Sequence, residues 1–234
     1  MLEAAKMGNL DGIRGVLKRA AQWGMKEEIL NAQDEHETSA LQWAIRYRKE
    51  AVAIDLIYNH AQVNTATNSK DGEFEGSIPL ISASFRGMTG VVKQLLIRGG
   101  MITAIRKNKS DAAFLAAQEG HLEILQTLVS KDSTVADRHG LQGRTPLAAA
   151  AWHGQVEVMK YLLEECGARV DAQDEFNDTP LTLASESNKP EAVRYLLEMG
   201  ADSTIKGEGR KTALEIALHE KNEEVIRICS IMFK

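Results

Sequence analysis

Apolar residues along this chain recur at helical spacing, in pairs of short runs. Within residues 141–171, positions 147–152 hold four consecutive alanines behind Thr145 and Pro146, and a second run sets Val156, Met159, Leu162 and Leu163 on one face. Alanine is the best helix former and the smallest, so the first run predicts a short helix that can lie close against neighbours on both sides. Thr145 is suited to cap it, and Pro146 to its first turn, where a missing N–H costs nothing. Gly154 supplies a left-handed residue between the two helices, and Cys166-Gly167 ends the second. One helical hairpin of this size cannot bury its own apolar face and needs a copy of itself alongside.

The copies are present. The residue separating the two helices falls at Gly8, Arg48, Gly87, Gly120, Gly154, Asn188 and Lys221, with successive gaps of 40, 39, 33, 34, 34 and 33 residues. Pro79, Pro146 and Pro180 share one place in the unit. A period near 33 with Thr-Pro-Leu, a glycine between helices and a Leu-Leu-x-x-Gly-Ala ending resembles the ankyrin repeat. GRTPLAAAAWHGQVEVMKYLLEECGA and DTPLTLASESNKPEAVRYLLEMGAD carry the resemblance best, and it extends over essentially the whole chain. It implies an all-α ankyrin-repeat solenoid of about seven helix-turn-helix repeats with short β-hairpin or loop tips. The expected organisation is a single array over 1–234, with repeats at 1–36 (an N-terminal cap), 37–75, 76–108, 109–142, 143–176, 177–209 and 210–234 (a C-terminal cap).

Three departures matter. Met1 aligns inside a first helix, which reads as a cap or as a piece cut from a longer protein. The connections on either side of the second repeat, within residues 23–37 and 63–76, are about six residues longer than the family's; long loops in compact arrays are usually functional or disordered, and the alternative is solvated loops of no consequence. The family also commonly has His directly after Thr-Pro-Leu, tying adjacent repeats by hydrogen bonds. Here that position holds Leu2, Gln42, Ile81, Phe114, Ala148, Thr182 and Glu215, so cohesion is expected mainly from apolar burial.

Composition narrows the function. The net charge of −5 offers no basic footprint for nucleic acid or an anionic membrane, and no apolar run is long enough to span a bilayer. Two cysteines, Cys166 and Cys229, are too few and too far apart in the array for a disulfide framework, which suits a reducing, cytoplasmic setting with the nucleus left open. The six histidines show neither an i, i+4 pair nor a Cys-x-x-Cys partner, so no metal is expected. Residues 206–212, KGEGRKT, lack phosphate-loop spacing and fall where a hairpin tip belongs. No nucleophile-and-base arrangement stands out, so neither catalytic residues nor a cofactor is expected, and the protein is not expected to be an enzyme.

What remains is a ridge. In arrays of this family the two residues before the separating glycine project onto the concave face and matter little to stacking. Here they include Arg46-Tyr47, Phe85-Arg86, Gln118-Glu119, Trp152-His153 and Glu186, with Lys6, His219 and Glu220 towards the ends. Trp, Tyr and Arg bury large area at small entropic cost and keep a polar handle, which suits interface anchors. The expectation is therefore a monomeric protein-interaction module. It binds a protein or peptide along the concave face, with Tyr47, Phe85 and Trp152 as anchors, Arg46 and Arg86 pairing acidic groups, and Glu119, Glu186 and Glu220 facing a basic end of the partner. The dull alternative for the rings is that they fold back against the hairpins. Two other functions stand beside it: an enzyme or small-molecule pocket in the groove lined by Trp152, His153, Glu119 and Arg86, and the recognition part of a larger effector or signalling protein.

Overall fold

The computed structural model describes residues 1–68 and 75–232. They form two compact units, Met1–Lys107 and Asn108–Lys234. The N-terminal unit holds α1 (Leu2–Met7), α2 (Leu10–Gln22), α3 (Lys26–Leu30), α4 (Ala40–Arg46), α5 (Glu50–Tyr58), α6 (Pro79–Phe85) and α7 (Thr89–Ile97). The C-terminal unit holds α8 (Ala112–Gln118), α9 (Leu122–Lys131), α10 (Pro146–His153), α11 (Val156–Lys160), α12 (Pro180–Glu186), α13 (Pro190–Glu198), α14 (Ala213–Glu220) and α15 (Glu223–Met232). Apart from α3, they pair as successive helical hairpins. First helices stack on first helices within each unit: α4 on α1 and α6, then α10 on α8 and α12, and α12 on α14.

The helix starts follow from side chains that hold otherwise unpaired N–H groups. Ser39, Asp111, Thr145, Thr179 and Thr212 each accept a hydrogen bond from the N–H three residues on, opening α4, α8, α10, α12 and α14. Pro79, Pro146 and Pro180 stand in the first turns of their helices. Ala148 to Ala151 are all buried, so α10 can approach neighbours on both flanks as their size requires. All seven separating residues take left-handed backbone, Arg48 (φ 54°), Asn188 (φ 53°) and Lys221 (φ 61°) included, so the phase of the repeat persists where glycine is missing.

The second helix of the fifth repeat departs from its siblings. The left-handed residue closing the second helix follows the separating residue by 12 positions at His60, Gly99 and Gly200, but by 13 at Gly167. The surplus residue is taken up after α11, where Tyr161–Glu165 forms a π-helical turn. Leu162 stays fully buried and Glu164 accepts a 2.8 Å hydrogen bond from the Tyr195 hydroxyl of α13.

Of the β-hairpin or loop tips expected, the structure has loops: among the described residues there is only an isolated bridge, Gln33 with Ser39. Four of the tips close through one recurring hydrogen bond, from the N–H of Asp34, Gly140, Asp174 or Gly207 to the carbonyl four residues on. One expectation needs correction: the polar tie after Thr-Pro-Leu is not wholly absent. Gln42 is buried, accepts from the Ser39 N–H and donates to the Thr65 carbonyl at 2.6 Å, linking the second repeat to the connection beyond it. The longer connections also differ from each other. Residues 23–37 include α3. The 63–76 connection returns to the array through paired backbone bonds of Thr67 with Gly76 and Ser77, while residues 69–74 lie outside the described residues.

Candidate partner-binding surface

In the N-terminal unit Lys6, Arg46 and Tyr47 gather round a side chain that lies outside the expected ridge. Trp43, half-buried on α4, has Tyr47 stacked on it with ring centroids 5.6 Å apart. The Arg46 guanidinium lies 5.0 Å from the ring centroid, and Lys6 Nζ of α1 lies 4.1 Å from it. Its indole N–H donates to Asp34 Oδ2 at 2.7 Å, which fixes the ring from behind. Tyr47 is 51% exposed. One repeat on, Arg86 lies 5.4 Å over the Phe85 ring, and both are half-buried. The surface is thus aromatic and cationic, with the Trp43 and Phe85 rings each partly shielded by a positive charge.

In the C-terminal unit the ends of α8, α10, α12 and α14 bring Gln118 and Glu119, Trp152 and His153, Glu186, and His219 and Glu220 onto successive packed helices. Gln118 donates to Glu119 Oε1 at 2.8 Å. Trp152 is half-buried beneath Arg144, whose guanidinium is 5.1 Å from the ring centroid and is held at the tip by Asp174 at 3.1 Å. The Arg144 side chain of the preceding tip therefore covers one face of this ring. His153 is exposed, shares its Nδ1 with the Ala149 carbonyl at 3.0 Å and borders a cleft with Lys189, Pro190 and Glu191 that includes neither Trp152 nor Glu119.

A hollow on this ridge lies where the sixth and seventh repeats meet. Asp178, Glu186, Glu208 and Glu220 surround a pocket of about 210 Å³ over Ile216, with His219 and Lys211 at its edge. Asp178 is buried at the foot of the tip. Its Oδ1 accepts from the Glu208 N–H at 3.0 Å and the Thr182 hydroxyl at 3.1 Å. The Glu186 carboxyl is raised above the ordinary glutamate range, first by partial burial and then by Asp178, with Glu208 and Glu220 adding to the effect and Arg144 opposing it. A cation placed beside Glu186 would favour its ionised form. Sequence reasoning found Glu186, Glu220 and His219 but missed Asp178 and Glu208, because these sit on tips rather than helices. The signal available was the repeat phase, which sets Asp178 just before Thr179-Pro180 and Glu208 in the following tip.

Among the described residues no group of His, Cys, Asp and Glu could hold a metal, and no helix is long and apolar enough to cross a membrane. A profile described as ankyrin repeats in three copies matches residues 80–174 and 166–229. The ankyrin repeat domain of human ASB11 is similar in structure, with a TM-score of 0.80 and 26% identity over 97% of this chain and 96% of that one. None of the curated proteins matches. Repeats of this kind generally serve as protein-interaction modules, and, with the profile covering more than half of its length, the chain belongs to the ankyrin-repeat family.

Proposed function

We propose that the chain is a non-catalytic adaptor that binds a segment of a partner protein along the concave ridge where the first helices end, and that a basic side chain of this segment is seated in the carboxylate pocket of the C-terminal unit. The observation that carries this reading is the pocket's composition: four carboxylates with one lysine at the edge, over the apolar side chain of Ile216. A guanidinium suits it, since its planar face can lie on Ile216 while its N–H groups form charge-assisted bonds to Glu186 and Glu220. In the N-terminal unit the exposed face of Tyr47, backed by Trp43, and the Phe85 ring supply aromatic anchors, with Arg46 and Arg86 beside them for acidic groups of a partner.

The pH dependence follows from Glu186. A cationic guest favours the ionised carboxylate, and Glu186 is harder to ionise than usual in the free protein, so binding lowers its pKa and releases protons. Affinity should fall as pH drops from 7 towards 5. Stability runs the other way, because a carboxyl raised on folding opposes the folded state as pH rises through its unfolded value. Glu186→Gln should therefore leave unfolding at pH 7 unchanged or slightly more resistant while weakening binding. The test uses fluorescence anisotropy on labelled peptides of one alanine-serine frame carrying a single arginine, a single glutamate or neither. The arginine peptide should bind most tightly and lose its advantage in Glu186→Gln and Glu220→Gln. Equal binding of the three peptides, or an unaltered preference in both variants, rejects the pocket.

A further inference from the structure

The first long connection makes a second surface, distinct from the ridge. α3 packs against α2, and α2 against α5, with Leu30 at the end of α3 only 2% exposed. This folding leaves two adjoining clefts that share Lys26 and Asn59. One, of about 240 Å³, has Leu17 and Ala21 in its wall and Lys18 at its edge. The other, of about 320 Å³, runs from Leu30 to His60. Two exposed rings adjoin the lining residues in the chain: Trp23, in the turn joining α2 to α3 between Ala21 and Lys26, is 80% exposed, and Tyr58, which ends α5 just before Asn59, is 64% exposed. A tryptophan this open beside a recess with buried leucines in its wall is a costly surface to leave to water.

The charge lining the recess selects the occupant. Lys18 and Lys26 make no ion pair among the described residues, whereas Arg14 is already neutralised by Asp55 at 2.7 Å. Glu27 is the one acidic residue among those described as lining the clefts. We propose that this recess is a docking site for an amphipathic segment of a partner protein that carries apolar side chains together with Asp or Glu. Its apolar groups cover Trp23 and Tyr58 and enter the clefts over Leu17 and Leu30, and its carboxylates meet Lys18 and Lys26.

The test uses the full chain and a fluorescein-labelled helical peptide of leucine and glutamate. Parallel arms use a peptide with lysine for glutamate, a peptide with serine for leucine, and phosphatidylserine-phosphatidylcholine vesicles. The leucine-glutamate peptide should bind at least about tenfold more tightly than either control peptide. Trp23→Ser and the double change Lys18→Glu with Lys26→Glu should each weaken it by about tenfold at an unaltered unfolding midpoint, and added salt should weaken it further. Glu186→Gln should leave it unaffected, so failure here is separable from failure of the carboxylate pocket. The proposal is overturned by equal binding of the three peptides, by indifference to Trp23→Ser, by vesicle binding in place of peptide binding, or by sedimentation showing that Trp23 instead holds two copies of the chain together.

Discussion

Arg48 and Lys221 occupy left-handed backbone in which a β-carbon crowds the following carbonyl, at about 1–2 kcal/mol relative to the ordinary helical region. Both side chains are exposed, so changing them removes no packing. Arg48→Gly and Lys221→Gly should each stabilise the protein by about 1 kcal/mol once glycine's greater freedom in the unfolded chain is subtracted, and Gly154→Ala should cost about 1–2 kcal/mol. Urea unfolding of the three variants measures this, and a loss in Arg48→Gly would mean that the arginine makes a contact the structure does not record. The same positions mark how far the sequence was legible. The left-handed requirement could be read at Arg48 and Lys221 from spacing alone, because repetition gave each position several independent copies. Trp43 carried no such help: its helical phase fits a packing residue, and only the folded positions of Lys6, Asp34 and Tyr47 show it as the centre of a cationic and aromatic cluster.

Among the elements, the π-helical turn at Tyr161–Glu165 explains how one extra residue is accommodated without disturbing the next repeat. Deleting Glu165 should restore the spacing of 12 found at Gly200, retain the Tyr195–Glu164 bond and change stability by no more than about 1 kcal/mol. Deleting Glu198, which stands at the matching place in α13 where there is no surplus, should cost about 2 kcal/mol or more. Thermal unfolding of the two deletions tests the difference, and similar losses would show that the π turn is needed for its own sake. The helix pairs and their caps were legible because their signals are local: a capping side chain, a proline and an apolar face. The tips and α3 were not, since turn-forming residues permit many loop paths. Whether residues 23–37 remain open or fold back depends on Leu30 finding cover beside α2, a tertiary outcome.

For the molecule as a whole, the two units divide its charge unequally. Met1–Lys107 contains 14 Lys and Arg against 12 Asp and Glu, and Asn108–Lys234 contains 14 against 21. The entire negative balance therefore originates in the unit that bears the carboxylate pocket. Beyond setting what can fit, this imbalance governs how soon an encounter happens. The field of the C-terminal unit reaches about 30 Å at 0.01 M salt and about 8 Å at 0.15 M. An arginine-bearing peptide should accordingly associate faster as salt is lowered, with little change in the rate at which it leaves, a division that stopped-flow mixing resolves. If salt acts on departure instead, recognition depends on short-range contact alone. With the division expected here, the protein would sample basic partners more often than their affinity suggests, and competition among partners present together would be decided by arrival as much as by residence.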